Sequence, residues 1–435
     1  MEKRKLQVTA LIVLFLTLVV GLGFAGGARE ETAERVTLSY WSVGNFPGYD
    51  HFWEEIAARF NEQHPEIELE LNVTLIPYSG YEARYQSAFA AGAGPDIFWD
   101  MTHQTAGQLE VSERMPDDIA RSLESIVGGP GSVIGMFDGN RYGVPVEGGY
   151  FQMMFINVPM YEEAGLDPNR PPTTYAELLE HAKILTTYDG AGRITRSGFG
   201  VRYDGHPFGI ADKTVPFIDA WGAQLLNWEE RKASGYVNSP EAIAAMEFYR
   251  DLVITHRVAS LEMGEPMESF GRELSAIMFR ESFAVAWLKQ FNPDLEFKVY
   301  PLPAHTRPSG YAGNFPWSIQ VNKDSPEINR KWAWELMRFY VENADIRKEH
   351  AIRANIIPPF TDILEEPEFR AHQAYDAFVA MSEGRGATNY HIPPAQELLQ
   401  AFGDATLDII FGRSEVRPAL DRAAVTMDAI LARYR

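Results

Sequence analysis

The sequence contains no cysteine. That absence excludes disulfides even in an oxidising compartment, a thiolate metal site, and a lipid-modified N-terminal cysteine. Positive charge is scarce: 39 Lys and Arg stand against 60 Asp and Glu, a formal net charge of −21. So acidic a chain is unsuited to nucleic acid or anionic lipid surfaces, and neither is expected as a partner. Beyond residue 35 there is no low-complexity or charge-block segment, and no later apolar run approaches the ~18 residues of a membrane span. Also missing are a Gly-x-Ser-x-Gly elbow, a Gly-x-x-x-x-Gly-Lys phosphate loop and a His-Glu-x-x-His pair. No cofactor or metal is expected. A three-His site drawn from His51, His103 and His206 is the one such arrangement that counting leaves open.

What is present starts with an export signal. Lys3-Arg4-Lys5 precedes an apolar run from Val8 to Val20 and the small residues around Ala25 and Ala28, the pattern of a secretory signal peptide over residues 1–28. Cleavage after Ala25 or Ala28 fits, and removes a net charge of +2, leaving the mature chain near −23. A soluble periplasmic protein, with no membrane insertion after cleavage, is the expectation. With 435 residues and 46% hydrophobic content, burial alone supplies cores for two or more domains. Nine Trp, 19 Tyr and 26 Phe exceed what those cores require and point to aromatic surfaces with another use.

Along the chain, Val36–Trp41 alternates as a strand; Phe52, Ile56 and Phe60 share one helical face, with Asp50 placed to cap it and His64-Pro65 to end it. Ile67, Leu69, Leu71, Val73 and Leu75 alternate in a second strand, a helix follows near Tyr81–Ala91, and Ile97–Trp99 is a third strand. Strand-helix-strand-helix-strand order predicts a mostly parallel α/β sheet. Between the helix and the third strand, Gly94-Pro95-Asp96 turns the chain sharply. Further on, Phe151–Asn157 reads as a strand, and Thr174–Glu177 as a capping box. Asn238-Ser239-Pro240-Glu241 and Asp324-Ser325-Pro326-Glu327 each place Ser to cap a helix and Pro to open it. The second of those helices buries Ile328, Trp332, Leu336 and Phe339, with Trp332 and Trp334 read as packing residues. The last 40 residues read as two helices.

These segments together resemble the extracellular solute-binding proteins of ABC importers, in the carbohydrate-binding group that includes maltose-binding protein. The resemblance rests on order and spacing: Tyr40-Trp41, Gly94-Pro95-Asp96-Ile97, Tyr142-Gly143-Val144-Pro145, Ile156-Asn157, Glu163-Ala164-Gly165-Leu166, Pro172–Leu178, Trp221-Gly222 and Asn238–Glu241. It departs from that family at Glu281, where Gly is usual, at Phe283, where Trp is usual, and at Ile156, where Tyr is usual. The resemblance implies a periplasmic-binding-protein-like α/β fold: two lobes with mostly parallel sheets, a multi-segment hinge and a central cleft. Residues 36–146 and 286–343 would form the N-terminal lobe, and 147–285 with 344–435 the C-terminal lobe. It further implies a monomer that delivers a solute to the membrane permease of an ABC importer.

A sugar needs flat rings for its C–H faces and a few fixed polar groups for its hydroxyls. The aromatic candidates are Trp41, Tyr150, Trp221, Phe283, Trp287 and Trp317, each at a strand end, by a glycine or near a crossing. The polar candidates are Asp100, Glu147, Glu281 and Asn314, with Arg353 able to close a rim or simply to sit on the surface. Asp100 ends the third strand, where open α/β sheets present ligands. Arg280 and Glu281 leave a charged solute open. The competing readings are a secreted carbohydrate-active enzyme, for which carboxylates abound, and a chemosensory ligand-binding subunit.

Overall fold

A computed structural model describes residues 33–43, 51–77, 80–148, 151–310, 317–383 and 390–434. The signal segment, Asp50, Tyr150 and Asn314 lie outside the described residues.

Two sheets organise the chain. The first contains β1 (Glu34–Val43), β2 (Ile67–Ile76), β3 (Ile97–Met101), β4 (Gly143–Pro145) and β8 (Trp317–Val321) in the order β2-β1-β3-β8-β4. The second contains β5 (Met153–Asn157), β6 (Ile277–Arg280) and β7 (Phe297–Tyr300) in the order β6-β5-β7. In the first sheet β1 pairs in parallel with β2 and β3, as the crossover helices α1 (Phe52–Gln63) and α2 (Tyr81–Ala90) require. β8 is antiparallel to both β3 and β4, and the second sheet is antiparallel throughout. In the first sheet the parallel direction expected from the sequence therefore holds for β1 to β4, since β3 and β4 are both antiparallel to β8, and β8 alone runs the opposite way. The second sheet departs from it, with β5 antiparallel to both of its neighbours.

The boundary expected at 286 is corrected by strand pairing. Phe297 pairs with Asn157 and Tyr300 with Met154, so the chain up to residue 300 stays with the second sheet and returns to the first before Trp317. The boundary near 343 moves as well. Helix α8 (Glu327–Glu342) continues into α9 (Ala344–Ala354), whose His350 stacks on Phe52 of α1 at 5.3 Å. The 361–364 turn is tied back by Arg347–Asp362 hydrogen bonds of 2.8 and 2.7 Å. Only beyond it does the chain reach helix α10 (Tyr375–Ser382), which packs on β5 and β7. Sequence patterning had no means of finding these points, because helices on either lobe carry the same amphipathic period.

Two motif residues hold the first lobe together. Asp96 enters β3 at its amino end, where Oδ2 accepts from Ser39 N and Oγ at 2.8 Å each and Oδ1 accepts from Asn329 Nδ2 at 3.0 Å. One carboxylate thus ties β1, β3 and α8. Gly143 lies against β8 so closely that a Cβ would stand 2.4 Å from Ser318 Oγ and 2.7 Å from its Cβ. Only glycine fits there.

In the second lobe, Thr174 and Glu177 form the expected capping box of helix α4 (Tyr175–Leu185). Helix α5 (Pro207–Ala220) is buried at every position from Phe208 to Ala220. Ser239 caps helix α6 (Pro240–Val253), and helix α7 (Ala284–Phe291) follows β6. The two terminal helices are α11 (Ala395–Ile410), packed on α5, and α12 (Val416–Leu431). Ser325, by contrast, makes no cap: α8 starts one residue later, with Pro326 at its N-cap position. Ile328 is exposed, while Trp332, Trp334, Leu336 and Phe339 are buried.

Candidate functional site

The carboxyl ends of the parallel strands form the first wall. On β3, Phe98 and Asp100 share one face and Trp99 and Met101 the other, by the two-residue strand period. Helix α2 covers the Asp100 face through Tyr85, whose ring lies 5.6 Å from Trp41 and whose hydroxyl donates to Trp41 O at 3.1 Å. Tyr81, one turn earlier on α2, meets Tyr85 at 5.9 Å and Trp317 at 5.4 Å, and Trp317 in turn meets Trp99 at 4.7 Å. The aromatic ring series therefore runs along the edge from β1 to β8.

Asp100 sits within this edge, 1% exposed. Its Oδ1 accepts from Met101 N at 2.7 Å, and Oδ2 has no hydrogen-bond partner among the described residues. Burial pushes its carboxyl well above the usual range, and the nearby Glu82 pushes in the same direction. A short helix, α3 (Thr102–Thr105), follows at once. Gln320 of β8 fixes the turn, donating to Asp100 O at 2.8 Å and accepting from Thr105 Oγ1 and Ser112 Oγ at 2.7 Å each. Within α3, both ring nitrogens of His103 and the Oε1 of Gln104 are buried without partners among the described residues. Burial, helped by His391, pushes the His103 imidazole down to about 3.

The second wall is a buried polar cluster where β5 begins and β6 ends. Gln152 Nε2 donates to Asp212 Oδ2 at 2.7 Å and to Glu281 Oε1 at 3.2 Å. Lys213 Nζ donates to Asp212 Oδ2 at 2.7 Å and also pairs with Glu281. Arg280 stands 3.8 Å from Glu281 and 3.2 Å from Glu265. Burial raises the Glu281 carboxyl, but Lys213 and Arg280 together outweigh it and hold the group well below its ordinary range. Here charge is matched by charge, unlike at Asp100.

The walls touch. Gln396 of α11 donates to Glu82 Oε1 at 3.2 Å, Gln108 to Glu397 Oε1 at 3.4 Å, and the His103 and His391 rings lie parallel at 6.1 Å. At the hinge, Ser282 Oγ donates to Glu147 Oε1 at 2.6 Å and Gly148 N to Ile357 O at 2.7 Å. Among the described residues no three His, Asp or Glu are arranged to hold a metal ion. His206 instead caps α5 through Phe208 N at 3.2 Å.

Of the residues singled out in the sequence, Trp41, Asp100 and Trp317 converge on the first wall, and Glu281 belongs to the second. Glu147 lies on the segment that joins β4 to β5 and is bonded to Ser282. Phe283 lies under the Arg280 guanidinium at 5.5 Å. Trp221 stacks on His305 at 3.9 Å and packs on Tyr175 and Phe248, as core aromatics do. Trp287 pairs with Phe291 at 4.5 Å and joins neither wall. Arg353 holds Glu55 at 2.9 Å and lies over Phe52. Sequence reasoning passed over Tyr81, Glu82, Tyr85, Gln152, Asp212 and Lys213. The i, i+4 spacing of Tyr81 and Tyr85 was the one signal available for any of them.

Comparison with known proteins agrees with this architecture. Residues 44–345 match the bacterial extracellular solute-binding protein family. A maltotriose-binding protein of Pyrococcus abyssi is 20% identical over 323 residues, 71% of this chain, and the chain spans 61% of that relative's length. An ABC transporter solute-binding protein of Thermotoga lettingae TMO, solved with α-D-tagatose, superposes with a TM-score of 0.77 at 22% identity, covering 91% of this chain and 99% of that one. Maltose-bound MalE3 of T. maritima gives 0.76 at 19% identity, with coverage of 91% and 99%. The fold is the two-lobed one of periplasmic binding proteins, and the chain belongs to the family of bacterial extracellular solute-binding proteins.

Proposed function

We propose that this protein captures a sugar or short oligosaccharide between its lobes and delivers it unchanged to the permease of an ABC importer, acting in the periplasm after removal of residues 1–28. The observation that carries the reading is the first wall. Trp41, a partly exposed flat ring suited to the C–H face of a sugar and backed by the buried rings of Tyr85, Tyr81 and Trp317, stands by a buried carboxylate with an unused acceptor oxygen, and the second lobe lies across it. The sugars named for the relatives above support the same solute class. No covalent chemistry is needed: a micromolar Kd corresponds to about −8 kcal/mol, within reach of stacking and several hydrogen bonds. Closure follows if the solute contacts both walls and so prefers the closed arrangement.

A thermal-shift screen across mono- and oligosaccharides tests this, since a solute that binds the folded state raises its Tm. A saccharide that raises Tm and is recovered intact supports the proposal. Consumption of that saccharide would instead establish the carbohydrate-active enzyme.

A further inference from the structure

Asp100 and Glu82 make an unusual pair for a neutral solute. Asp100 is 1% exposed and its Oδ2 accepts no hydrogen bond from the described residues. Glu82, on the helix that covers it, is near enough to disfavour the charge on Asp100, and burial disfavours both carboxylates. The rings of Trp41, Tyr85, Tyr81 and Trp317 follow one another around this spot at 5.4–5.9 Å. Cations nearby do not fill the role. Arg84 lies over Trp41 at 5.0 Å but is exposed, where solvent and salt screen it. His206 acts on Glu82 from the second lobe, and His103, held neutral by burial, supplies no charge. Arg280 and Lys213 are committed to Glu281, Glu265 and Asp212.

A buried carboxylate without a counter-ion is costly, and a single donated hydrogen bond answers only part of that cost. A sugar hydroxyl supplies the hydrogen bond alone. An ammonium group supplies the hydrogen bond and the charge, and aromatic faces attract it further. We propose that the solute is an amine-bearing, cationic saccharide whose ammonium group is held between Asp100 and Glu82 within this ring of aromatics. The proposal rests on the sugar-binding reading above and adds the charge of the ligand to it.

Titration calorimetry on the full chain with matched sugars separates the two. The sets are glucosamine, N-acetylglucosamine and glucose; galactosamine, N-acetylgalactosamine and galactose; and the β-1,4 dimers of glucosamine, N-acetylglucosamine and glucose. The expected result is that in at least one set the amine binds tenfold or more tighter than both neutral partners. Asp100→Asn and, independently, Glu82→Gln should then reduce that preference to threefold or less. Neutral sugars binding as tightly as their amines in every set that binds would overturn the cationic ligand while leaving sugar capture standing. So would an amine preference that survives in both variants. Binding by no member of any set would overturn both readings.

Discussion

Replacing Lys213 by Met tests whether the second wall is held by matched buried charge. Lys213 is 5% exposed, between Asp212 at 0% and Glu281 at 1%. Met keeps most of the volume and removes the cation. Asp212 keeps Gln152, while Glu281 keeps the neutral Gln152 donor at 3.2 Å and Arg280 at 3.8 Å, and loses its hydrogen-bonded cation. A buried carboxylate that loses its hydrogen-bonded partner costs about 3–5 kcal/mol. At about 2–4 °C per kcal/mol for a domain of 150–250 residues, the second lobe's Tm should fall by roughly 6–20 °C. Calorimetry reads this directly. The double variant Lys213→Met/Glu281→Gln removes the stranded charge as well, so it should cost less than the sum of its single changes by about 1–2 kcal/mol. A pH series adds a sign. The paired Glu281 carboxyl lies below its usual 4.5, so its stabilisation is present above that pH and lost as pH falls below it, and Glu281→Gln abolishes that loss. A Lys213→Met cost below about 1 kcal/mol, or additivity within about 0.5 kcal/mol, would refute the reasoning.

Three further outcomes follow from the first lobe. Gly143→Ala should destabilise it by about 1–3 kcal/mol through overpacking against Ser318, measurable as a lowered Tm without any change in the other lobe's transition. Asp96→Ala leaves Ser39 N and Asn329 Nδ2 without their acceptor and should cost about 1–3 kcal/mol in chemical denaturation. His103 resists protonation when folded, from its usual 6.5 down to about 3, so stability should fall as pH drops through that window. His103→Gln should flatten the fall by about 1.4 kcal/mol per pH unit between pH 4 and 6, and an unchanged slope would show that His103 is not buried in solution.

The sequence exposed those parts of the fold that have a period or a cap. Thr174–Glu177 and Ser239-Pro240 were legible because capping chemistry is local. Asp100 was legible because it ends a strand whose direction follows from the strand-helix order. Helix α5 was not, because burial on every side leaves no amphipathic stripe, and its Asp212 and Lys213 carry no sign of pairing until Glu281, 68 residues away from Lys213, is seen beside them. The candidate tryptophans divided for the same reason: Trp41 and Trp317 meet α2, while Trp221 meets His305, and only the three-dimensional partner separates the two cases. The Gly94-Pro95-Asp96 turn, the strongest local signal, turned out to brace the amino end of β3, opposite the end that bears Asp100.

The absence of cysteine makes the decisive measurement simple, because any introduced cysteine is unique. Spin labels at Gln86→Cys on α2 and Asp404→Cys on α11 flank the contact between Glu82 and Gln396 from opposite lobes, at exposed positions. Double electron–electron resonance with a saccharide that raises Tm should show the inter-label distances narrowing to a single shorter value. A distance distribution identical with and without that saccharide at saturation would contradict capture by lobe closure.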